Sequence, residues 1–246
     1  MLANIVDTKF DFRTDARGKD PDWASPTLRR FHRLLWSKPL PDGRFFELDG
    51  ASPHGYLLHD SDIGKFMLTS DSVIATFTRY KSMRHITECF PLEENESFQS
   101  VGYTMGGMMI FPGNRIERKP TLNGARGLSR TISDRMDLTL ECIRRHYLGD
   151  DSPLGPTLRR YADFFGVFSH FRGYVEFFLL QDLVAEDFSE IRFFLPFEDF
   201  NRRGAPADVE AYRSYRRASI EFVTARNKRI DLWTSQNPPR ESPSCG

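Results

Sequence analysis

The segment from Thr131 to Val184 restricts this chain more than any other part of it. From Thr131 to Tyr147 the apolar residues Ile132, Met136, Leu140, Ile143 and Tyr147 recur at helical spacing, the mark of a helix with one face in a core. Pro156 then opens a second helical stretch carrying Leu158, Tyr161, Phe164, Phe165 and Phe168, Ser169 to Gly173 is a candidate break in it, and Tyr174 to Val184 is apolar on nearly every side. A helix without a polar face has to be covered on all sides. The run is far too short for a membrane span and carries Glu176 and Asp182, so the covering is expected to be protein. The chain must therefore supply a large partner layer.

That layer is expected from the N-terminal half. Ser25 caps a helix with Pro26 in its first position, and Lys38-Pro39-Leu40-Pro41 ends it. Arg44 to Leu48, Tyr56 to Leu58, Lys65 to Leu68 and Val101 to Phe111 read as strands, the last with Gly106 and Gly107 marking a bulge or a close backbone approach. Ser70 to Met83 reads as a helix capped by Ser70 and Asp71, although its β-branched residues would suit a strand. Pro91 to Ser97 reads as an acidic loop and Pro112 to Arg130 as a long one. Ile191 to Phe197 reads as a further strand and Asp208 to Trp233 as a long helix. Strands followed by helices, without regular alternation, predict an α+β fold. In it a mixed or mainly antiparallel sheet packs against helices at 131–147, 156–184 and 208–233. One domain is expected over residues 1–236, with 1–24 an irregular arm and 237–246 a disordered tail.

Equal numbers of basic and acidic residues, 34 of each, remove any global field for non-specific nucleic-acid binding. The basic set is nevertheless 27 Arg to 7 Lys, and arginine suits bidentate contact with phosphate or carboxylate. The C-terminal arginines are interleaved with acids, so a nucleic-acid groove is not favoured. Cys89, Cys142 and Cys245 are scattered and form no CxxC pair, which points to neither a disulfide framework nor a zinc site. The N-terminal residues lack an apolar signal region, and a cytoplasmic address with no membrane contact is expected. The six histidines are dispersed, so no metal centre is expected. No cofactor or protein partner is indicated.

Two sets of residues could carry chemistry. Arg135, Thr139, Cys142 and His146 follow one another beside the apolar stripe of the 131–147 helix, so Arg135 and His146 lean inward and need partners. Glu176 and Asp182 sit in the greasy stretch that follows. Either these groups pair with one another and fix helix register, or they line a pocket in which Glu176 and His146 move a proton. Asp134, Asp137 and Glu141, interleaved with Arg144 and Arg145, read as a solvent-exposed face. In the second set, Asn123-Gly124-Ala125-Arg126-Gly127 could present donors and an arginine to an anion, and His32, Trp36 and Lys38 could stack on and contact a nucleotide. G-x-S-x-G and GxxxxGK[ST] motifs are absent.

The stretches FDFRTDARGKDPDW, LLWSKPLPDG, GYTMGGMMIFPGNRI, TLNGARG, DRMDLTLECIRRHY and YADFFGVFSHFRGYVEFFLLQDLV together resemble a family of bacterial hypothetical proteins catalogued as a domain of unknown function, over about residues 10–230. The resemblance implies a single cytoplasmic domain and assigns chemistry to no position. The reading of the residues is an enzyme or binding protein for a nucleotide or other phosphate-bearing ligand. Asn123, Arg126, Arg135, His32, Trp36 and Lys38 would bind it, between the sheet and the 131–184 helices. The alternative is a non-catalytic interaction domain in which the same residues form a buried ion-pair network.

Overall fold

A central hairpin organises the chain in a computed structural model that describes residues 6–48 and 57–237. Strand β3 (Leu57–Ser61) turns through Asp62-Ile63 into β4 (Gly64–Ser72), and β5 (Met108–Pro112) pairs antiparallel to β4 on its other edge. Every residue of β5 is buried, as expected of a strand with both faces covered. A two-stranded ribbon, β1 (Lys38–Pro39) with β2 (Phe45–Phe46), forms a second sheet, packed against the first through Phe46 stacked on His59.

Helices surround this sheet. The described residues form α1 (Pro21–Ala24), α2 (Pro26–Trp36), α3 (Arg84–Thr87), α4 (Leu92–Gly102), α5 (Leu122–Leu128), α6 (Met136–Leu148), α7 (Gly155–Arg160), α8 (Ala162–Gly166), α9 (Phe171–Phe177) and α10 (Val209–Gln236). The fold is α+β, with small antiparallel sheets in the N-terminal half and a long C-terminal helix. Ser25 caps α2 as its sequence demands, its hydroxyl accepting from Leu28 N–H at 3.1 Å. Asp208 does the same for α10, accepting from Ala211 N–H at 2.8 Å. None of the helices among the described residues is long and apolar enough to cross a membrane.

Several elements depart from what their sequence suggests. The 156–184 stretch is three short helices, α7 to α9: besides an unexpected break at Tyr161, it breaks within the expected Ser169–Gly173 segment, where Ser169 holds φ 65°. Gly173 then passes so close to the Phe168 carbonyl that a Cβ would sit 2.2 Å from it. The helix foreseen from Thr131 begins at Met136, since Ser133 and Asp134 have φ of 48° and 66° and cannot enter a right-handed turn. Asp137 and Glu141 are buried, not exposed. The segment after Ile191 covers that face, with Phe194 N–H donating to Asp137 at 2.9 Å and Asp199 pairing with Arg145.

That segment is no strand but a single bridge, Val184 to Ile191. Leu92–Gly102 is helical where a loop and strand were expected, and strand β5 is confined to Met108–Pro112. Ser70 to Met83 carries the end of β4 and an irregular crossing, with only a 3-10 turn at Lys81–Met83. The long 112–130 loop contains α5. Nor are residues 6–24 a peripheral arm, since Phe12 and Ala16 are core residues. The close approach foreseen at the paired glycines is present: a Cβ on Gly106 would lie 2.5 Å from the Val223 carbonyl, and one on Gly107 2.1 Å from that of Gly102. Tyr56, the first residue of one expected strand, and the tail after residue 237 lie outside the described residues.

Candidate functional site

The cavity best supplied with chemistry opens where β4 ends. After Ser72 the chain leaves the sheet and crosses through Val73 to Tyr80, with Phe77 held at φ 60°. This crossing, the start of α1, the C-terminal end of α4 and Asp134 enclose a cavity of about 160 Å³. Its acids are Asp20, Asp22, Asp71 and Asp134; Ser72, Thr76, Arg79, Tyr80, Gln99 and Tyr103 add further polar groups.

Each acid is placed by a local device. Asp20 caps α1, accepting from Asp22 N–H at 3.1 Å, which directs the Asp22 side chain from the first turn into the cavity. Asp71 is the penultimate residue of β4, and Arg126 of α5 donates to its Oδ2 at 2.7 Å. Asp134 sits at its left-handed corner, paired with Arg79 at 2.9 Å through Oδ2. Backbone of this kind is costly for a residue with a Cβ and concentrates at functional sites.

Four carboxyl groups face too few donors. Asp22 Oδ1 and Asp134 Oδ1 are both buried without a hydrogen-bond partner, with Arg126 Nη2 standing 3.8 Å from the latter. Burial, reinforced by the carboxylates of Asp71 and Asp20, lifts Asp22 well above the usual carboxylate range. Asp71 is lifted by burial too, with Arg126 opposing and Asp134 adding to the rise. Burial likewise pushes the Tyr103 phenol up to about 12, with help from Asp22. A carboxylic acid held protonated near neutrality can donate a proton or exchange it for a cation. Among the described residues, no three Asp, Glu, His or Cys side chains are set to close on a metal ion.

A second cavity, of about 420 Å³, lies on the other side of Tyr80, which lines both. Arg130, Arg202, Arg203, His85, Ser82, Ser129 and Ser133 are among its polar groups.

The residues singled out by sequence lie elsewhere and do not share one cavity. Arg126 is wholly buried, giving Nε–H to Thr139 at 2.9 Å and Nη2–H to the Asp134 carbonyl at 3.1 Å, with its plane 4.8 Å from the Phe111 ring. Its neighbour Asn123 is inside α5, not in a loop before a helix, and donates to Thr69 Oγ1 at 3.2 Å. Arg135 pairs with Asp137 and donates to the Gly204 carbonyl at 2.9 Å; it meets neither Glu176 nor Asp182. Glu176 is exposed and paired with Arg172 one turn away, while Asp182 takes a bidentate contact from Arg229, 2.8 Å on each side. His146 is half-buried against Phe165, and burial together with Arg159 lowers its pKa.

His32 and Trp36 are fully buried. Trp36 Nε1–H donates to His32 Nδ1 at 2.9 Å, so the neutral ring carries its proton on Nε2 and donates to Ser70 Oγ at 2.9 Å. Burial, then Arg226 and Arg29, pushes this imidazole down to about 3. Lys38 lies among the rings of Trp36, Phe177 and Trp233, its ammonium 4.6 to 5.0 Å from each centroid. Burial and Arg226 push it down to about 7.

Sequence reasoning missed Asp20, Asp22, Asp71 and Arg79 as site residues. A signal was present: Asp71 interrupts the strand-like LTSDSVIATF, and Lys19-Asp20-Pro21-Asp22-Trp23 places two acids around a helix-starting proline. It also missed Arg226, wholly buried, whose Nη1–H groups reach the carbonyls of Gly106 and Met108 at 3.0 and 2.8 Å and whose Nη2–H reaches that of Phe178 at 2.9 Å.

No curated protein and no solved structure matches the chain. A family model does, from residue 6 to residue 230, and thus across α1, the sheet and most of α10. The chain belongs to DUF6994, a family of unknown function.

Proposed function

We propose that this protein binds a small organic cation, an ammonium or amidinium group, in the Asp22–Asp71–Asp134 cavity, and that binding displaces a proton from the carboxyl groups. The observation that carries the reading is the pair of buried carboxylate oxygens, Asp22 Oδ1 and Asp134 Oδ1, that have no donor. A buried acceptor left unpaired costs about 1–3 kcal/mol, and a ligand with several N–H donors recovers that cost. The excess of acids over arginines around the cavity favours a positive guest over an anion. Its proton-holding carboxyls also suit acid–base chemistry on such a guest.

Thermal denaturation with short primary amines tests this. At a concentration tenfold above Kd the gain is about 1.4 kcal/mol, which raises the melting temperature of a chain this size by about 3–6 °C. Asp22→Asn combined with Asp134→Asn should abolish the rise. Wild-type protein that melts at one temperature with and without saturating amine contradicts the proposal.

For Arg126 and Arg135 we propose a stabilising role, supported by hydrogen bonds that end on protein groups at every nitrogen.

A further inference from the structure

The larger cavity beside the acidic one has the opposite character. Arg130 and Arg203 are exposed at its edge, and neither guanidinium has an ion-pair or hydrogen-bond partner among the described residues. Arg202 is paired with Glu198 at 2.7 Å but remains solvent-facing. Ser129 and Ser133 add hydroxyl groups, and no carboxylate lines this cavity. Unpaired guanidinium groups converging on a concave surface are the usual recognition elements for phosphate.

The partition between the cavities is thin and polar. Tyr80 lines both, its hydroxyl donating to the Gly127 carbonyl at 3.1 Å. Ser133 faces the basic side and its neighbour Asp134 the acidic side, both on left-handed backbone. Arg79 crosses at the same place, donating to Tyr80 Oη at 2.9 Å and pairing with Asp134 while half of its side chain is in solvent. A group arriving at Asp134 would compete with this exposed arginine and with little else.

We infer that the two cavities are subsites for one ligand, a phosphate ester bearing an amine or amidine. The cationic end takes Asp22 and Asp134, and the phosphate takes Arg130 and Arg203. The inference rests on the cation-binding reading and extends it by naming the other end of the molecule. It also accounts for the strained Ser133–Asp134 corner, which turns consecutive side chains toward opposite ends of the guest.

A series of ω-aminoalkyl phosphates with two to six carbons between the groups, titrated calorimetrically beside the matching alkylamines and inorganic phosphate, measures the spacing directly. One chain length should bind at least about tenfold more tightly than its alkylamine, the gain expected when a second contact becomes intramolecular. Arg130→Ala with Arg203→Ala should remove that gain and leave alkylamine binding intact, since both side chains are exposed and unpaired. If amines bind but no phosphate in the series improves on them, the joined site is overturned and the cation site stands. If phosphate binds and Asp22→Asn leaves every aminoalkyl phosphate unaffected, the acidic end is no part of the site and the inference again fails. If neither amines nor aminoalkyl phosphates bind, both readings fall.

Discussion

Arg126, with no solvent exposure of its own, donates to Asp71 Oδ2 at 2.7 Å and so ties α5 to the end of β4 beneath the acidic cavity. Removing one partner of such a pair leaves the other charge buried and alone. Arg126→Ala is therefore expected to cost about 3–5 kcal/mol in urea denaturation, and Arg126→Lys to recover little, because a single ammonium cannot reach Asp71, Thr139 and the Asp134 carbonyl together. An alanine variant within about 1 kcal/mol of wild type would mean that this pair does not hold the floor of the cavity.

The pH dependence of Asp22 has a definite sign. Its folded-state pKa is raised, so between the ordinary carboxylate range and the raised value the folded state holds a proton that the unfolded chain has released. Stability should fall as pH rises through that window. Asp22→Asn stays neutral throughout and should melt higher than wild type on the alkaline side, with the two curves converging at acid pH. Parallel curves across the range would show that Asp22 titrates normally.

Lys38 behaves in the opposite direction. Its pKa falls to about 7 from 10.5. Above pH 7 the folded state has lost a proton that the unfolded chain keeps until about 10.5, so the cost of burying it should diminish as pH rises between those values. The three surrounding rings offset part of that cost at lower pH. Lys38→Met should gain most over wild type at or below pH 7 and least near pH 10 in thermal melts. A gain that does not change with pH would contradict a displaced titration.

Gly106→Ala tests the seat of α10. The added methyl would lie 2.5 Å from the Val223 carbonyl and 2.8 Å from Asn227 Oδ1, where Gly106 N–H now donates. Overpacking of this kind typically costs about 1–3 kcal/mol. Equal denaturation midpoints for variant and wild type would show that α10 can move away freely.

The parts of the fold legible in the sequence were those fixed by local chemistry. The Ser25 cap and Pro26 start of α2, the long helix from Asp208 and the strand character of Leu57–Leu58 and Lys65–Leu68 follow from residues close to where they act. Unreadable parts depended on distant covering. Asp137 and Glu141 looked exposed because their spacing with Arg144 and Arg145 matches a solvated face, and only residues 191–199, folded across them, make that face interior. Within the aromatic run from Phe164 to Phe178 the break at Ser169 to Gly173 was legible from the serine and glycine themselves. The break at Tyr161, between α7 and α8, was not, because apolar residues fit any period when nearly every position is apolar.

For the candidate site, the high arginine count points toward an anion, but Arg126 and Arg135 spend their donors on protein groups. The acids that matter come from α1, β4 and the corner before α6, at least 49 residues apart between Asp22 and Asp71 and 63 between Asp71 and Asp134. No spacing rule joins positions so far separated.

Calorimetry of a short primary amine binding near pH 6.5, repeated in buffers of different ionisation enthalpy, counts the protons exchanged at the Asp22–Asp71–Asp134 cavity. The amine enters already charged, so net proton release on binding is predicted for the wild type, and clearly less release per amine bound in Asp22→Asn, where Asp71 alone can supply the proton. Binding with no net proton release from the wild type, or no binding, would contradict it.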